Sequence, residues 1–269
     1  MDYRRTGKKE RNQMMKYGND ISRWQGTTDF VKMVNAGSTF VIFKAGQGTW
    51  KDQKFDDYIR DSKGILPRGA YWYYDNGVAP AKQASAFYTI IKDVELELPV
   101  FVDLEDRNAG NYLSMKHWAV FMEEFERLAG HKCNVYTGYY YWDEHYSPQF
   151  ENTFKDVLLW MAWYGRAYEY LKIPTPWRVV TIHQFTDRAD GVAHGVSTKQ
   201  IDGNNFYGST AEWNEFTSDF YNAEPEPPEP PTDCEAKIKA SYNQGVADTV
   251  MQYDEVTNRL LENKERSER

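Results

Sequence analysis

Strand-type apolar segments alternate with amphipathic helical segments along most of this chain, and this alternation constrains the fold more than any other feature. A continuous apolar run such as residues 39–45 is typical of a strand that is buried on both faces of a parallel sheet. Alternating strands and helices imply parallel strands joined by right-handed crossovers. Strand signals occur near residue 20 and at residues 39–45, 68–74, 100–102, 133–137, 156–164, 178–185 and 200–203.

Helical periodicity is clear only between the early strands. It covers residues 30–36, 55–62, 80–92 and 114–128, whereas the later strand signals are followed by poor helices or none. A chain of 269 residues can bury one large core, and α/β barrels of about 250 residues are routinely one domain. The sequence therefore predicts an α/β fold, a (β/α)8-type (TIM-like) barrel with helices missing in its second half.

The domain organisation follows from changes in composition. We expect a basic N-terminal arm at residues 1–17, the barrel at residues 18–221 and an acidic, proline-rich linker at residues 222–232. Such a linker is extended and semi-rigid. Residues 233–269 are predicted to form a helical tail, whose heptad-like stripe suits a coiled coil or a helix docked on a partner. Self-association through 233–269 and a marginal helix remain equal alternatives.

Composition excludes several classes of partner. The net charge of −8 argues against nucleic acid, because phosphates would be repelled. No apolar run approaches the 18 residues of a membrane span, and the basic N-terminus lacks the apolar core of a signal peptide. We therefore expect synthesis in the cytoplasm without a membrane span. The aromatic share of 16% suits a groove that stacks against sugar rings, and a core built from large residues is the alternative interpretation.

The run 98–106 ends in two carboxylates, Asp103 and Glu105. Side chains alternate along a strand, so both project to one side, roughly 7 Å apart along the chain. Two such acids at a buried strand end repel each other when ionised, and one is expected to keep a proton near neutral pH. Glycosidases use this arrangement. A solvated turn after a strand is the alternative interpretation.

Two further acids, Asp20 and Asp202, also fall at or just past strand ends. Chemistry in these barrels lies at the carboxyl ends of the strands. The sequence therefore predicts four carboxyl groups converging on one mouth. No phosphate-binding glycine loop, zinc-type His-Glu-x-x-His spacing or nucleophile elbow occurs, so the simplest expectation is a hydrolase without metal or cofactor.

An ordered set of motifs resembles glycoside hydrolase family 25, the Chalaropsis-type lysozymes of phage endolysins, bacteria and fungi. The resemblance runs from about residue 18 to about residue 221. It rests on residues 20–26 (DISRWQG), 40–48 (FVIFKAGQG), 69–74 (GAYWYY), 99–105 (PVFVDLE), 135–138 (VYTG), 159–164 (LWMAWY), 183–187 (HQFTD) and 201–206 (IDGNNF).

The resemblance implies a flattened barrel that cleaves the β-1,4 bond between N-acetylmuramic acid and N-acetylglucosamine in peptidoglycan. Glu105 then corresponds to the general acid and Asp103 to its companion carboxylate, with Asp20 and Asp202 as further acids of the pocket. The sugar-holding positions implied by the resemblance are Tyr71, Tyr73, Tyr136, Trp160, Trp163 and Gln184. We expect action on the bacterial cell wall, as in a phage endolysin or virion-associated lysin.

Two positions depart from the family pattern. Gln47 stands where a Glu is frequent, which removes a charge near the groove, and His183 stands where Trp is common. On a strand, His183 is expected to be a core histidine rather than a catalytic one. A non-catalytic wall-binding or virion structural module on the same barrel is the alternative function.

Overall fold

The computed structural model describes residues 14–217, so the linker, the tail and residues 1–13 of the arm lie outside the described residues. The strands are β1 (Met14–Ile21), β2 (Val41–Gln47), β3 (Trp50–Lys51), β4 (Arg68–Tyr73), β5 (Val100–Leu104), β6 (Asn134–Gly138), β7 (Leu159–Ala162), β8 (Ile182–Asp190) and β9 (Gln200–Gly208). The helices are α1 (Phe30–Asn35), α2 (Phe55–Ser62), α3 (Pro80–Ile91), α4 (Met115–Ala129), α5 (Tyr139–His145), α6 (Glu151–Phe154) and α7 (Thr210–Phe216).

Eight of these strands close into a barrel. The hydrogen-bonded order is β1-β9-β8-β7-β6-β5-β4-β2, and β1 also pairs with β2, which completes the circle. The two-residue β3 pairs only with β2, as a short hairpin at its carboxyl end. The predicted eight-stranded α/β barrel is therefore confirmed.

The direction of the last strand differs from the predicted parallel sheet. β9 is antiparallel to both β8 and β1. The reason is the short connection of residues 191–199 between β8 and β9, because a parallel crossover needs a dozen residues or more. β9 therefore begins, rather than ends, at the barrel mouth where the parallel strands end.

β1 also begins earlier than the predicted domain boundary at residue 18. Met14 to Gly18 pair with Gly208 to Asn204 of β9, so residues 14–17 belong to the barrel and not to the arm. Backbone pairing decides this boundary, because the polar side chains of the segment show no strand period. β9 in turn runs five residues past its predicted end.

Alternation along each strand divides the core in two. Side chains that point outward pack beneath the helices, as Val100, Val102 and Leu104 of β5 do. Phe101 of the same strand points inward, into a separate apolar cluster that fills the barrel. This inner cluster consists of Phe40, Ile42, Leu98, Phe101, Tyr136, Trp160, Ile182, Phe206 and Phe216.

The outer layer is uneven around the barrel. α1 to α4 cover the first strands, and α3 and α4 pack together through Phe87 and Phe125, whose ring centroids are 5.2 Å apart. The short α5 and α6, which the sequence did not predict, follow β6, and β8 leads to β9 without a helix. Within residues 14–217 no helix combines the length and the apolar character needed to cross a bilayer.

Candidate active site

The inward face of the strands carries polar residues above the inner apolar cluster. In β5, Asp103 follows Phe101 on this face, and parallel pairing places it level with Tyr73 of β4 and Tyr136 of β6. Ten inward positions therefore lie at one mouth of the barrel or, in the case of Trp160, directly beneath it. They are Asp20, Lys44, Tyr71, Tyr73, Asp103, Glu105, Tyr136, Trp160, Gln184 and Asp202.

Asp103 and Glu105 are the central pair. Asp103 is 3% exposed, and within the described part of the chain its Oδ1 atom has no hydrogen-bond partner. Burial and then the negative charge of Glu105 raise the pKa of Asp103 well above its usual range. Burial and then the charge of Asp20 raise the pKa of Glu105. The pair is therefore set to keep a proton at a pH where isolated carboxyls are ionised.

Asp20 and Asp202 form a second pair whose side chains hydrogen-bond to each other. Burial raises the pKa of Asp20 to about 6, and burial together with the charge of Asp20 raises that of Asp202 to about 9. Between these values Asp202 holds the shared proton and Asp20 the charge. Asp202 reaches the mouth from the start of antiparallel β9, not from a strand end as the sequence suggested.

A side-chain network joins the two pairs. Gln184 Nε2 donates to Asp20 Oδ1 at 2.9 Å, and Gln184 Oε1 accepts from the hydroxyls of Tyr136 and Tyr164, both at 2.8 Å. The Tyr136 hydroxyl also lies 3.4 Å from Glu105 Oε2. Gln184 and Tyr136 therefore connect the central acid to the charge on Asp20.

Trp160, predicted to hold sugar, is only 1% exposed and lies beneath the mouth. Its Nε1 donates to Asn204 Oδ1 at 2.8 Å, and Asn204 Nδ2 donates to Asp20 Oδ1 at 2.7 Å. Its ring packs against Tyr136, with the centroids 4.6 Å apart. In this structure Trp160 therefore supports Tyr136 and Asp20 from below, and its indole has no open face for a sugar.

A lysine lies opposite the central acids. The Lys44 ammonium donates to Gln47 Oε1 at 3.0 Å and lies 4.5 Å from the centroid of the Tyr73 ring. Burial lowers the pKa of Lys44, while the charges of Asp103, Asp52 and Glu105 oppose that shift. Gln47 therefore acts here as a neutral acceptor for the lysine beside the acids.

Trp163 lies at another side of the mouth, and His183 contacts its backbone from the outward face of β8. Trp163 is half-buried and stacks on Tyr139, with the centroids 4.3 Å apart. His183 is buried, its Nε2 lies 2.9 Å from the Trp163 carbonyl oxygen, and burial lowers its pKa. His183 therefore occupies a core position, with Nδ1 unpaired in the described part of the chain.

Sequence reasoning did not assign Lys44 or Asn204 to this site, nor Tyr164, which donates to Gln184. Lys44 interrupts the apolar run 39–45, and a charge inside a buried strand was the available signal. Asn204 stands two positions after Asp202 and so shares its face of the strand, but its partners Trp160 and Asp20 are distant in sequence. No local pattern could have assigned that role.

A closed barrel whose mouth holds four carboxyl groups with raised pKa values has the features of a glycoside hydrolase. The comparison with protein families agrees: the model of glycosyl hydrolases family 25 matches residues 19–195. The chain therefore belongs to this family, and it is a glycoside hydrolase.

Relatives of known identity are similar to most of the described barrel. The autolytic lysozyme of Clostridium acetobutylicum is 25% identical over 149 residues, which are 55% of this chain and only 45% of that relative. The muramidase from Trichobolus zukalii is 27% identical, with a TM-score of 0.61 over 75% of this chain and 98% of its own. The bacterial lysozyme from Streptomyces coelicolor shares the fold at 22% identity, with a TM-score of 0.64 over 75% of this chain and 96% of its own.

Proposed function

We propose that this protein is a lysozyme that hydrolyses the β-1,4 bond from N-acetylmuramic acid to N-acetylglucosamine in bacterial peptidoglycan. The observation that carries the proposal is the cluster of four carboxyl groups at the barrel mouth, in which burial and mutual repulsion retain protons. The names of the lysozyme and muramidase relatives support the substrate. The bacterial cell wall is then its place of action.

Glu105 is the proposed general acid. A phenol carries one proton, and the Tyr136 hydroxyl donates its proton to Gln184 at 2.8 Å. The longer 3.4 Å contact between Tyr136 and Glu105 then leaves the phenol oxygen free to accept from a protonated Glu105. Glu105 can therefore hold its proton in place until it transfers it to the glycosidic oxygen.

Asp103 is proposed to assist the substrate's own 2-acetamido group. Its Oδ1 atom is buried and lacks a hydrogen-bond partner in the described structure, which is costly unless a ligand supplies a donor. The acetamido N–H is such a donor, and accepting from it would orient the acetamido oxygen toward the anomeric carbon. Direct attack by Asp103 is less favoured, because Asp103 and Glu105 project from the same strand and face the same side of the sugar.

Asp20 and Asp202 complete the proposed mechanism. Asp20 carries the charge that raises the pKa of Glu105, and Asp202 holds the proton that stabilises this charge. Tyr71, Tyr73 and Trp163, which are only half-buried, are the proposed sugar contacts. These roles require acid and base groups only, so we propose no metal or cofactor.

The test is digestion of purified bacterial cell walls followed by mass spectrometry of the released muropeptides. A muramidase leaves muramic acid at the new reducing ends. Glu105→Gln keeps the shape of the side chain but removes its acid, and we expect it to lower turnover by about 10³-fold or more at an unchanged Tm. Wild-type protein that releases no muramic acid ends would favour the alternative, a non-catalytic wall-binding or virion module.

A further inference from the structure

An arginine and two tryptophans form an exposed cluster at the rim of the mouth. The Arg23 guanidinium carbon lies 4.6 Å from the ring centroid of Trp24 and 4.7 Å from that of Trp50. Trp24 is 69% exposed and Trp50 is 38% exposed. Large rings usually avoid such exposure, and stacking on a guanidinium compensates only part of its cost.

The cluster is held rigidly from below. The Arg23 backbone N–H donates to both carboxylate oxygens of buried Asp52, at 3.1 and 3.2 Å. The Tyr58 hydroxyl donates to the carbonyl oxygen of Gly26 at 2.6 Å and lies 3.1 Å from that of Ser22. These bonds fix the short 3-10 helix Arg23–Gln25. The Arg23 side chain is therefore presented by a preorganised loop, and this preorganisation lowers the entropic cost of binding a ligand.

The Arg23 guanidinium has no anionic partner of its own. Among residues 14–217 it forms no ion pair and no side-chain hydrogen bond, and it stacks on the two indole rings. Stacking uses the faces of the planar group and leaves the N–H donors at its edge available. Those donors match a carboxylate or a phosphate.

The cluster adjoins the proposed reaction centre. Arg23 and Trp24 follow the carboxyl end of β1, and Trp50 lies in the β2–β3 hairpin. The Lys44 ammonium lies 5.7 Å from the centroid of the Trp50 ring and 4.5 Å from that of Tyr73, at the level of Asp103. A group bound at Arg23 would therefore lie at the edge of the mouth, next to the glycan.

We propose that Arg23, Trp24 and Trp50 form a subsite for a carboxylate of the peptide stem of peptidoglycan; this inference rests on the proposed function. N-acetylated sugars are neutral, so the anionic groups near the cleaved bond are on the peptide, which leaves the glycan at the lactyl group of muramic acid. The protein has a net charge of −8 and acids at its mouth, so it would repel those carboxylates elsewhere. Arg23 offsets that repulsion at one point.

The experiment compares two wall substrates that differ in charge alone. One is native peptidoglycan, and the other is the same material with its carboxylates converted to amides by carbodiimide and ammonium. Release of reducing ends is measured for wild type, Arg23→Gln and Arg23→Lys. The control is Arg127→Gln, which makes the same charge change on α4, where Arg127 pairs with Glu124 at 2.7 Å.

On native walls we expect Arg23→Gln to raise KM about fivefold with kcat unchanged, the size of one exposed ionic contact. The KM of Arg23→Lys should lie between those of wild type and Arg23→Gln, since lysine keeps the charge but lacks the planar fork of donors. Amidation of the wall should raise the KM of wild type and of Arg127→Gln by the same factor of about five. It should leave the KM of Arg23→Gln unchanged.

The subsite would be refuted if Arg23→Gln raised KM by the same factor on both substrates, or if it did not raise KM on native walls. If Arg23→Gln lowers Tm, the comparison of Arg23→Lys with wild type on the two walls decides instead. If wild type releases no reducing ends from either wall, the proposed function fails, and that result is distinct from failure of the subsite.

Discussion

Removing charge from the Asp20 and Asp202 pair tests the electrostatic basis of the site. Asp20→Asn keeps the amide contacts, because its Oδ1 still accepts from Gln184 and Asn204, now at 2.9 and 2.7 Å. The new Nδ2 faces Asp202 and donates to it. Asp202, relieved of the charge that raised its pKa, then ionises. The single substitution therefore moves the negative charge from Asp20 to Asp202 and does not remove it.

The double variant Asp20→Asn/Asp202→Asn removes the charge altogether. The contacts that link Asp20 to Glu105 through Gln184 and Tyr136 limit the two carboxyl groups to a separation of roughly 10 Å. At that distance and an effective dielectric constant of about 20, one charge contributes about 1.7 kcal/mol, slightly more than one pKa unit. The pKa of Glu105 should fall by that amount.

The assay is the pH dependence of kcat/KM on soluble peptidoglycan fragments, which reports the free enzyme's ionisations. A general acid works below its pKa, so the high-pH limb should move about one unit toward acid in the double variant. In each single variant the high-pH limb should move by a few tenths of a pH unit at most. A double variant with an unmoved limb, or single variants that move it as far as the double, would refute the shared-proton interpretation.

Two further predictions concern stability and stereochemistry. The folded pKa of Asp202, about 9, exceeds its unfolded value of 3.8, so stability is lost as pH rises between them. Asp202→Asn removes this loss, so we expect it to raise the Tm at pH 9 and to leave the Tm nearly unchanged at pH 4; an equal change of Tm at both pH values would contradict this. Assistance by the acetamido group predicts retained anomeric configuration, and proton NMR that shows inversion in the first product would exclude it.

The sequence located the elements of this protein because their signals are local. The strands β2, β4, β5 and β6 and the helices α1 to α4 lie within about two residues of their predicted positions. Alternation also placed Asp103 and Glu105 on one face, since the period of a strand is fixed by its backbone. The positions of Asp20 and Asp202 at or just past predicted strand ends added them to the same mouth.

Tertiary structure alone decided how these pieces meet. Gln184 and Asp20 are 164 residues apart and Asn204 and Asp20 are 184 apart, yet their direct hydrogen bonds fix the charge that acts on Glu105. The reversal of β9 brings Asp202 to the mouth from the start of its strand, and the closure of β1 on β2 places Arg23 beside Trp50. Such contacts depend on strand direction and barrel closure, which are global properties that no local pattern of residues encodes.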